Sequence, residues 1–236
     1  MPEVVVLAGG RGTRLAPYTT ILPKPLMPVG DMPVLEILLR RLVAAGLTDV
    51  HLAVGHLAEL IEAYFGDGAR FGAHLRYWRE ETALGTAGPL GLIETTSERL
   101  LVLNGDLLTT LDFGEILAAH EQSGADATIG IHRREVPVEF GVVQLDGTSI
   151  VGFEEKPTLS YDVSMGIYVF ERSVVELVTP GAHLDFPELL QQLLDAGRVV
   201  NAFVSDAFWL DIGRHEDYEY AVQHFDELRG DLLGSS

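Results

Sequence analysis

Residues 3–30 read EVVVLAGGRGTRLAPYTTILPKPLMPVG, and the reading of this stretch decides the fold. Its first six residues, Glu3 to Ala8, form a nearly continuous apolar run. That is the pattern of a strand buried on both faces, as in a parallel sheet covered by helices. The segment from Gly9 to Gly30 is too irregular for a helix and too long for a turn. Gly9, Gly10 and Gly12 let a backbone approach a ligand closely with its N–H groups exposed, while Arg14 and Lys24 add mobile positive charge. Neither common phosphate cradle is present. A dinucleotide fingerprint needs a glycine where Leu15 stands, and a Walker loop needs Gly-Lys followed by Ser or Thr. The ingredients nonetheless suit a nucleoside triphosphate.

Outward from this stretch, strand and helix patterns alternate. Asp31 is expected to cap a helix with Pro33 just inside its start, and VLEILLRRLVAAG then shows helical periodicity up to Gly46. Strands are expected at 49–55, 74–78, 99–106 and 126–132, helices at 57–65 and 113–123, and a short helical segment in TAGPLGLIETT. This rhythm predicts an α/β fold: a Rossmann-like three-layer sandwich around a mostly parallel central sheet. From about residue 140 the rhythm changes. GVVQLD, SIVGFEEK and VSMGIYVF read as antiparallel hairpins added to that sheet, with turns at Asp146-Gly147 and Pro157. A helix over DFPELLQQLLDAG, a strand over VVNAFV and a last helix from 214 to about 227 come next, and the tail GDLLGSS is expected to fray. No linker or repeat interrupts the chain, which reads as one domain over 1–236. Two halves are expected within it, about 1–125 and about 126–228.

Composition narrows the function. A chain of 236 residues is long enough to bury roughly 70–75% of its unfolded surface without staples. It has no cysteine, so disulfides, thiolate chemistry and cysteine-ligated zinc are excluded. No apolar run is long enough to span a bilayer and no secretory leader pattern is present, so the expected location is cytoplasmic. The net charge of −19 argues against nucleic acid and against an anionic membrane as partners, since both need a broad basic surface. Small anionic ligands need only a few focused cations. Of the 16 basic residues only two are lysines, Lys24 and Lys156, and both precede a proline. A compact ammonium and a planar guanidinium are not interchangeable at a tight phosphate site, and a residue before proline leaves the helical region. Both lysines are therefore expected to project from extended or turning segments toward bound phosphate.

Two acids complete the pattern. Asp106 ends the buried run RLLVLNGD, at the carboxyl end of a strand, where open α/β sheets place their ligands. Asp211 lies among large apolar residues in FWLDIG, an unusual setting for a solvated acid. Two carboxylates, two lysines and a glycine loop meet the needs of metal-assisted phosphoryl or nucleotidyl transfer.

In order along the chain, LAGGRGTRLAPYTTILPKPLMPV, LGTAGPL, LNGD, FGVVQLD, EEKP, GIYVF and WLDIGRHEDY resemble the motifs of sugar-1-phosphate nucleotidyltransferases over about residues 3–225. REETALGTAGPL is most similar to the short guanylyltransferases for mannose- or heptose-type sugars. The resemblance implies transfer of a nucleotidyl group from an NTP, with GTP favoured, to a sugar 1-phosphate. Mg²⁺ would be held by Asp106 and Asp211. Leu7, Ala8, Gly9, Gly10, Gly12 and Thr13 would hold the nucleotide, with Arg14 and Lys24 on the triphosphate and Glu80, Gly85 and Thr86 around the base. Lys156 would pair with the sugar phosphate, and Gly141, Glu155, Ser164 and Gly166 would line the sugar pocket. One departure is Ser164 in VSMGIYVF, where relatives commonly carry Asn; the shorter side chain bears on which hexose fits. A uridylyl- or thymidylyltransferase acting on glucose-type phosphates is the alternative. More distant rivals are a glycosyltransferase, which would need an Asp-x-Asp metal motif where Asn104-Gly105-Asp106 stands, and an inactive regulatory paralogue. The sequence predicts no second activity beyond the last helix, and it leaves homo-oligomer formation open.

Overall fold

The structure is a computed structural model that describes residues 2–233. In chain order the elements begin with β1 (Glu3–Ala8), β2 (Pro28–Val29), β3 (Met32–Pro33), α1 (Val34–Ala44), β4 (Asp49–Val54), α2 (Ala58–Phe65) and β5 (His74–Arg79). They continue with β6 (Arg99–Asn104), β7 (Leu107–Thr109), α3 (Phe113–Ser123), β8 (Ala127–Pro137), β9 (Val142–Asp146), β10 (Ser149–Glu154) and β11 (Thr158–Glu171). The last are α4 (Arg172–Val175), α5 (Phe186–Asp195), β12 (Val200–Val204), β13 (Trp209–Asp211) and α6 (His215–Leu233).

Seven strands form the central sheet in the order β12-β8-β11-β6-β1-β4-β5. All neighbours are parallel except β11, which runs antiparallel to both β6 and β8. The apolar run of β1 explains its central place. Val4, Val6 and Ala8 enter the core on one face with α1 and α2, while Val5 enters the core on the other face with α5. A third core, built from Leu15, Val29, Ile37, Ile212 and Phe225, lies under α6 and ties that helix to the glycine loop's far end. No helix among the described residues is long and apolar enough to cross a membrane.

Several local expectations are corrected. Helix α1 starts at Val34 with Pro33 in the capping position, and Asp31 instead pairs with Arg229 at 3.1 Å. The short helical segment expected in TAGPLGLIETT is present as a 3₁₀ helix at Gly88–Leu92; Gly88, Pro89 and Gly91 disfavour its continuation as an α-helix. The hairpins are not all added to the main sheet: β11 joins it, whereas β9 and β10 pair only with each other. The last helix continues to Leu233, so GDLL is helical where fraying was expected; Phe225 and Leu232 are buried, and Arg41 donates to the carbonyls of Asp231 and Leu232. The final GSS of that tail lies outside the described residues.

Candidate active site

The carboxyl ends of β1, β4 and β6 lie side by side at the middle of the sheet, and their backbones converge tightly. Gly105 N–H donates to Leu7 O at 2.8 Å, and His56 N–H donates to Gly9 O at 3.2 Å. A Cβ on Gly55 would lie 2.9 Å from Gly9 O, so a side chain there would push β4's end away from the loop. The result is a cavity of about 410 Å³ above the sheet. Its floor is Leu7, Ala8, Gly9, Gly10, Gly12 and Thr13, and Glu80, Gly85 and Thr86 form one wall. Arg14, Lys24, Asp106 and Asp211 line it as well.

The wall at 80–86 is fixed by hydrogen bonds. Thr86 donates to Asp185 Oδ1 from both its N–H (2.8 Å) and its hydroxyl (3.1 Å), and its Oγ1 accepts Phe186 N–H at 2.9 Å. Gly85 has a left-handed φ of 79°, and a Cβ there would meet Leu184 O at 2.6 Å. Glu80 accepts Leu84 N–H at 3.1 Å and packs against Gly9, and burial pushes its carboxyl above the usual range. Glu81 is exposed and does not line the cavity.

Among the charged residues of the cavity, Lys24 is the hub. Its ammonium donates to Asp106 Oδ2 and lies 3.4 Å from Asp211 Oδ1. The side chain is 12% exposed, Asp106 19% and Asp211 38%, so Asp211 is the most exposed of the three. Burial pushes the Asp106 carboxyl up; Lys24 opposes that shift and Asp211 adds to it. Asp106 Oδ1 is buried without a hydrogen-bond partner. Such an orphaned acceptor beside a second carboxylate fits a hard divalent cation, whose oxygen ligands these would be. Among the described residues no cluster of three or more such ligands occurs, so phosphate and water would complete the coordination.

Lys156, Gly141 and Glu155 do not line this cavity. Lys156 sits in the turn between β10 and β11 with a left-handed φ of 49°, a rare conformation for a residue with a side chain. Gly141 packs beside Glu155, at the base of the β9–β10 hairpin. Ser164 and Gly166 lie on β11, where the pairing with β8 shifts register; Gly166 N–H donates to Ser164 Oγ at 3.3 Å. Gly166 touches the site through Asn104, which lines the cavity. The cavity also includes Arg11, within the loop from Ala8 to Gly12, and Pro25 and Asn104, which lie inside the quoted motifs but were given no role by sequence reasoning. A second cavity of about 330 Å³ adjoins the first and shares Arg14 and Asp211 with it.

Known proteins share this architecture. The family model described as "Nucleotidyl transferase" matches residues 3–227. A UTP–glucose-1-phosphate uridylyltransferase from Synechocystis is 37% identical over 94% of this chain and 62% of its own length. A mannose-1-phosphate guanylyltransferase from Mycobacterium tuberculosis is 36% identical over 92% of this chain and 62% of its own length. The chain thus spans about three-fifths of the length of these relatives. The crystal structure of HddC from Yersinia pseudotuberculosis complexed with GMP-PN superposes with a TM-score of 0.72 at 26% identity, covering 95% of this chain and 100% of that one. By the match over nearly its whole length, the chain belongs to the nucleotidyl transferase family.

Proposed function

We propose that this chain transfers a nucleotidyl group from an NTP, with GTP favoured, to a mannose- or heptose-like sugar 1-phosphate, releasing pyrophosphate. The observation that carries the reading is the meeting of Lys24, Asp106 and Asp211 beside the glycine loop in one cavity. The acceptor phosphate is already ionised at neutral pH, so no general base is required. One of its oxygens attacks the α-phosphorus of the NTP and a new P–O bond forms. The bond from that phosphorus to the α–β bridging oxygen breaks, and pyrophosphate leaves with the electron pair. The chain's work is to align two polyanions, a contribution worth about 7–11 kcal/mol where geometry is fully set, and to offset charge as it develops.

Each residue then has a task. The backbone of Gly9, Gly10 and Gly12 seats the triphosphate, and Arg14 and Lys24 offset its charge. Asp106 and Asp211 would hold Mg²⁺, which when bound supplies further positive charge to the phosphates. Lys156 is proposed to meet the sugar phosphate from the β10–β11 turn, with Gly141, Glu155, Ser164 and Gly166 on the sugar side. The half-buried Glu80 supports guanine, because a carboxylate can accept two adjacent donors from its Watson–Crick edge whereas uracil and thymine offer one. The HddC neighbour solved with GMP-PN supports the same base. The uridylyl relative from Synechocystis supports the alternative, a uridylyl- or thymidylyltransferase for glucose-type phosphates.

The test is pyrophosphate release by the purified chain with the common NTPs against a panel of sugar 1-phosphates. Turnover with GTP and a mannose- or heptose-type acceptor is expected to exceed that with UTP or dTTP. Equal use of the three removes the support for Glu80 as guanine reader. Lys156→Ala is expected to lower turnover by at least ~10²-fold with the fold intact; near-normal activity would remove Lys156 from the site.

A further inference from the structure

In this acidic chain, four arginines have side chains that make no hydrogen bond or ion pair with another described residue: Arg11, Arg14, Arg134 and Arg214. Every other arginine is engaged, Arg40 by Glu36 and Arg133 by Asp162, for instance, or Arg41 and Arg70 by backbone carbonyls. The four free ones are not scattered. Arg11 and Arg14 line the cavity above the glycine loop, and Arg14, Arg134 and Arg214 line the adjoining one. Glu216 and Asp217, in the first turn of α6, line that second cavity as well, yet neither pairs with these arginines.

The strand places Arg134 there by its two-residue period. Arg133 is held at 3.0 Å by Asp162 on the neighbouring β11, so His132 and Arg134 share the other face of β8. Trp209 packs against His132 with ring centroids 5.7 Å apart, and its indole N–H is already given to Met165 O at 2.8 Å. What Trp209 offers the cavity is therefore an apolar ring. Arg14 joins the two cavities: a Cβ on Gly213 would lie 3.7 Å from Arg14 Nη2 and 3.4 Å from Asp211 Oδ1.

We propose that the second cavity is a subsite for an acidic substituent of the acceptor, a second phosphate or a carboxylate carried by the sugar away from its reacting phosphate. Arg134 and Arg214 select for that group. The inference rests on the neighbouring cavity being the site of nucleotidyl transfer. Arg11, Arg14 and Lys24 line the first cavity and Lys156 is the cation proposed for the sugar phosphate, whereas Arg134 and Arg214 line only the second cavity, so the transfer itself gives their charge no task. The remaining lining suits a sugar: an aromatic ring for its apolar face, and Glu216 and Asp217 as acceptors for hydroxyls. A planar guanidinium fork matches phosphate and carboxylate alike.

The experiment compares kcat/KM for mannose 1-phosphate, mannose 1,6-bisphosphate and mannuronate 1-phosphate, with the glucose series in parallel. At least one acidic acceptor is expected to exceed its neutral counterpart by about 10-fold, the effect of one charge-assisted pair. The bisphosphate and uronate arms distinguish phosphate from carboxylate. In Arg134→Gln that ratio falls toward one, whereas a general structural defect lowers all acceptors equally. Arg133→Gln, altered on the opposite face, keeps the wild-type ratio. No acidic preference in the wild type, or a preference untouched by Arg134→Gln, overturns the proposal. If no acceptor reacts, the transfer reading has failed, and calorimetric binding decides the subsite. Tighter binding of the bisphosphate than the monophosphate, lost in Arg134→Gln, supports it; equal binding overturns it.

Discussion

Gly166→Ala tests how the second half of the chain holds the site in shape. Gly166 has a φ of 70°, and a Cβ there would lie 2.4 Å from Asn104 Nδ2 and 2.8 Å from its Cγ. The substitution carries two penalties. A residue with a Cβ in the left-handed region costs about 1–2 kcal/mol. Forcing Asn104 aside in a packed setting adds about 1–3 kcal/mol, for a total of about 2–5 kcal/mol. The two can be separated. Gly124 has a φ of 60° with nothing within 4 Å of its Cβ position, so Gly124→Ala carries only the backbone cost. Truncating Asn104 to Ala leaves only its Cβ, 3.4 Å from the new methyl group, which is ordinary contact. In that background Gly166→Ala should cost only about 1–2 kcal/mol. The assay is urea unfolding of the four members of the Gly166–Asn104 cycle, with Gly124→Ala as control. A coupling of about 1–3 kcal/mol is expected. If Gly166→Ala costs no more than Gly124→Ala, and Asn104→Ala brings no relief, the close approach of β11 to the cavity is refuted.

Lys24→Met removes the cation between Asp106 and Asp211 and is expected to lower turnover by ~10²-fold or more, with circular dichroism unchanged. Recovery of most activity in Lys24→Arg would contradict the need for a compact ammonium. His51 and His120 are buried, which holds both below the usual histidine pKa, and Trp78 Nε1 donates to His51 Nδ1 at 2.9 Å. Their neutral forms belong to the fold, so stability is present above the unfolded histidine value of about 6.5 and lost as pH falls below it. Urea midpoints should drop as pH falls below about 6.5; a flat or rising profile speaks against these networks. Gly30→Ala would set a methyl 2.1 Å from the Phe225 ring at a φ of 63°. It is expected to loosen α6 and cost about 2–5 kcal/mol by unfolding, and a neutral outcome would mean that α6 does not clamp the β2–β3 turn.

Local physics made much of the molecule readable. The apolar run of β1, the periodicity of α1 and the stop at Gly46 needed only nearest neighbours in sequence. The glycine loop stood out because few segments set three glycines and two cations directly after a buried strand, although Leu15 and Val29 within it belong to the core. Asp31 was misread because a cap depends on the entry angle of the chain, and Pro33 set that angle with Asp31 left over for Arg229. The tail after residue 227 was misread because its polarity conceals Leu232, which is buried only when α6 packs against the rest of the fold.

The sequence by itself determined the class of fold, the glycine loop after β1 and which few charges were worth attention, because each rests on residue type and short-range spacing. Tertiary structure alone decided which charges share a cleft. Lys24, Asp106 and Asp211 meet because β1 and β6 are adjacent in the sheet while β13 pairs with β7 just beyond β6's end. Arg134 lies in no motif and Arg214 has no assigned task within WLDIGRHEDY; they become conspicuous only when β8 and the start of α6 reach one cavity with no carboxylate paired to either. Pairing partners are set by strand order and side-chain reach, and neither is written in any short stretch of the chain.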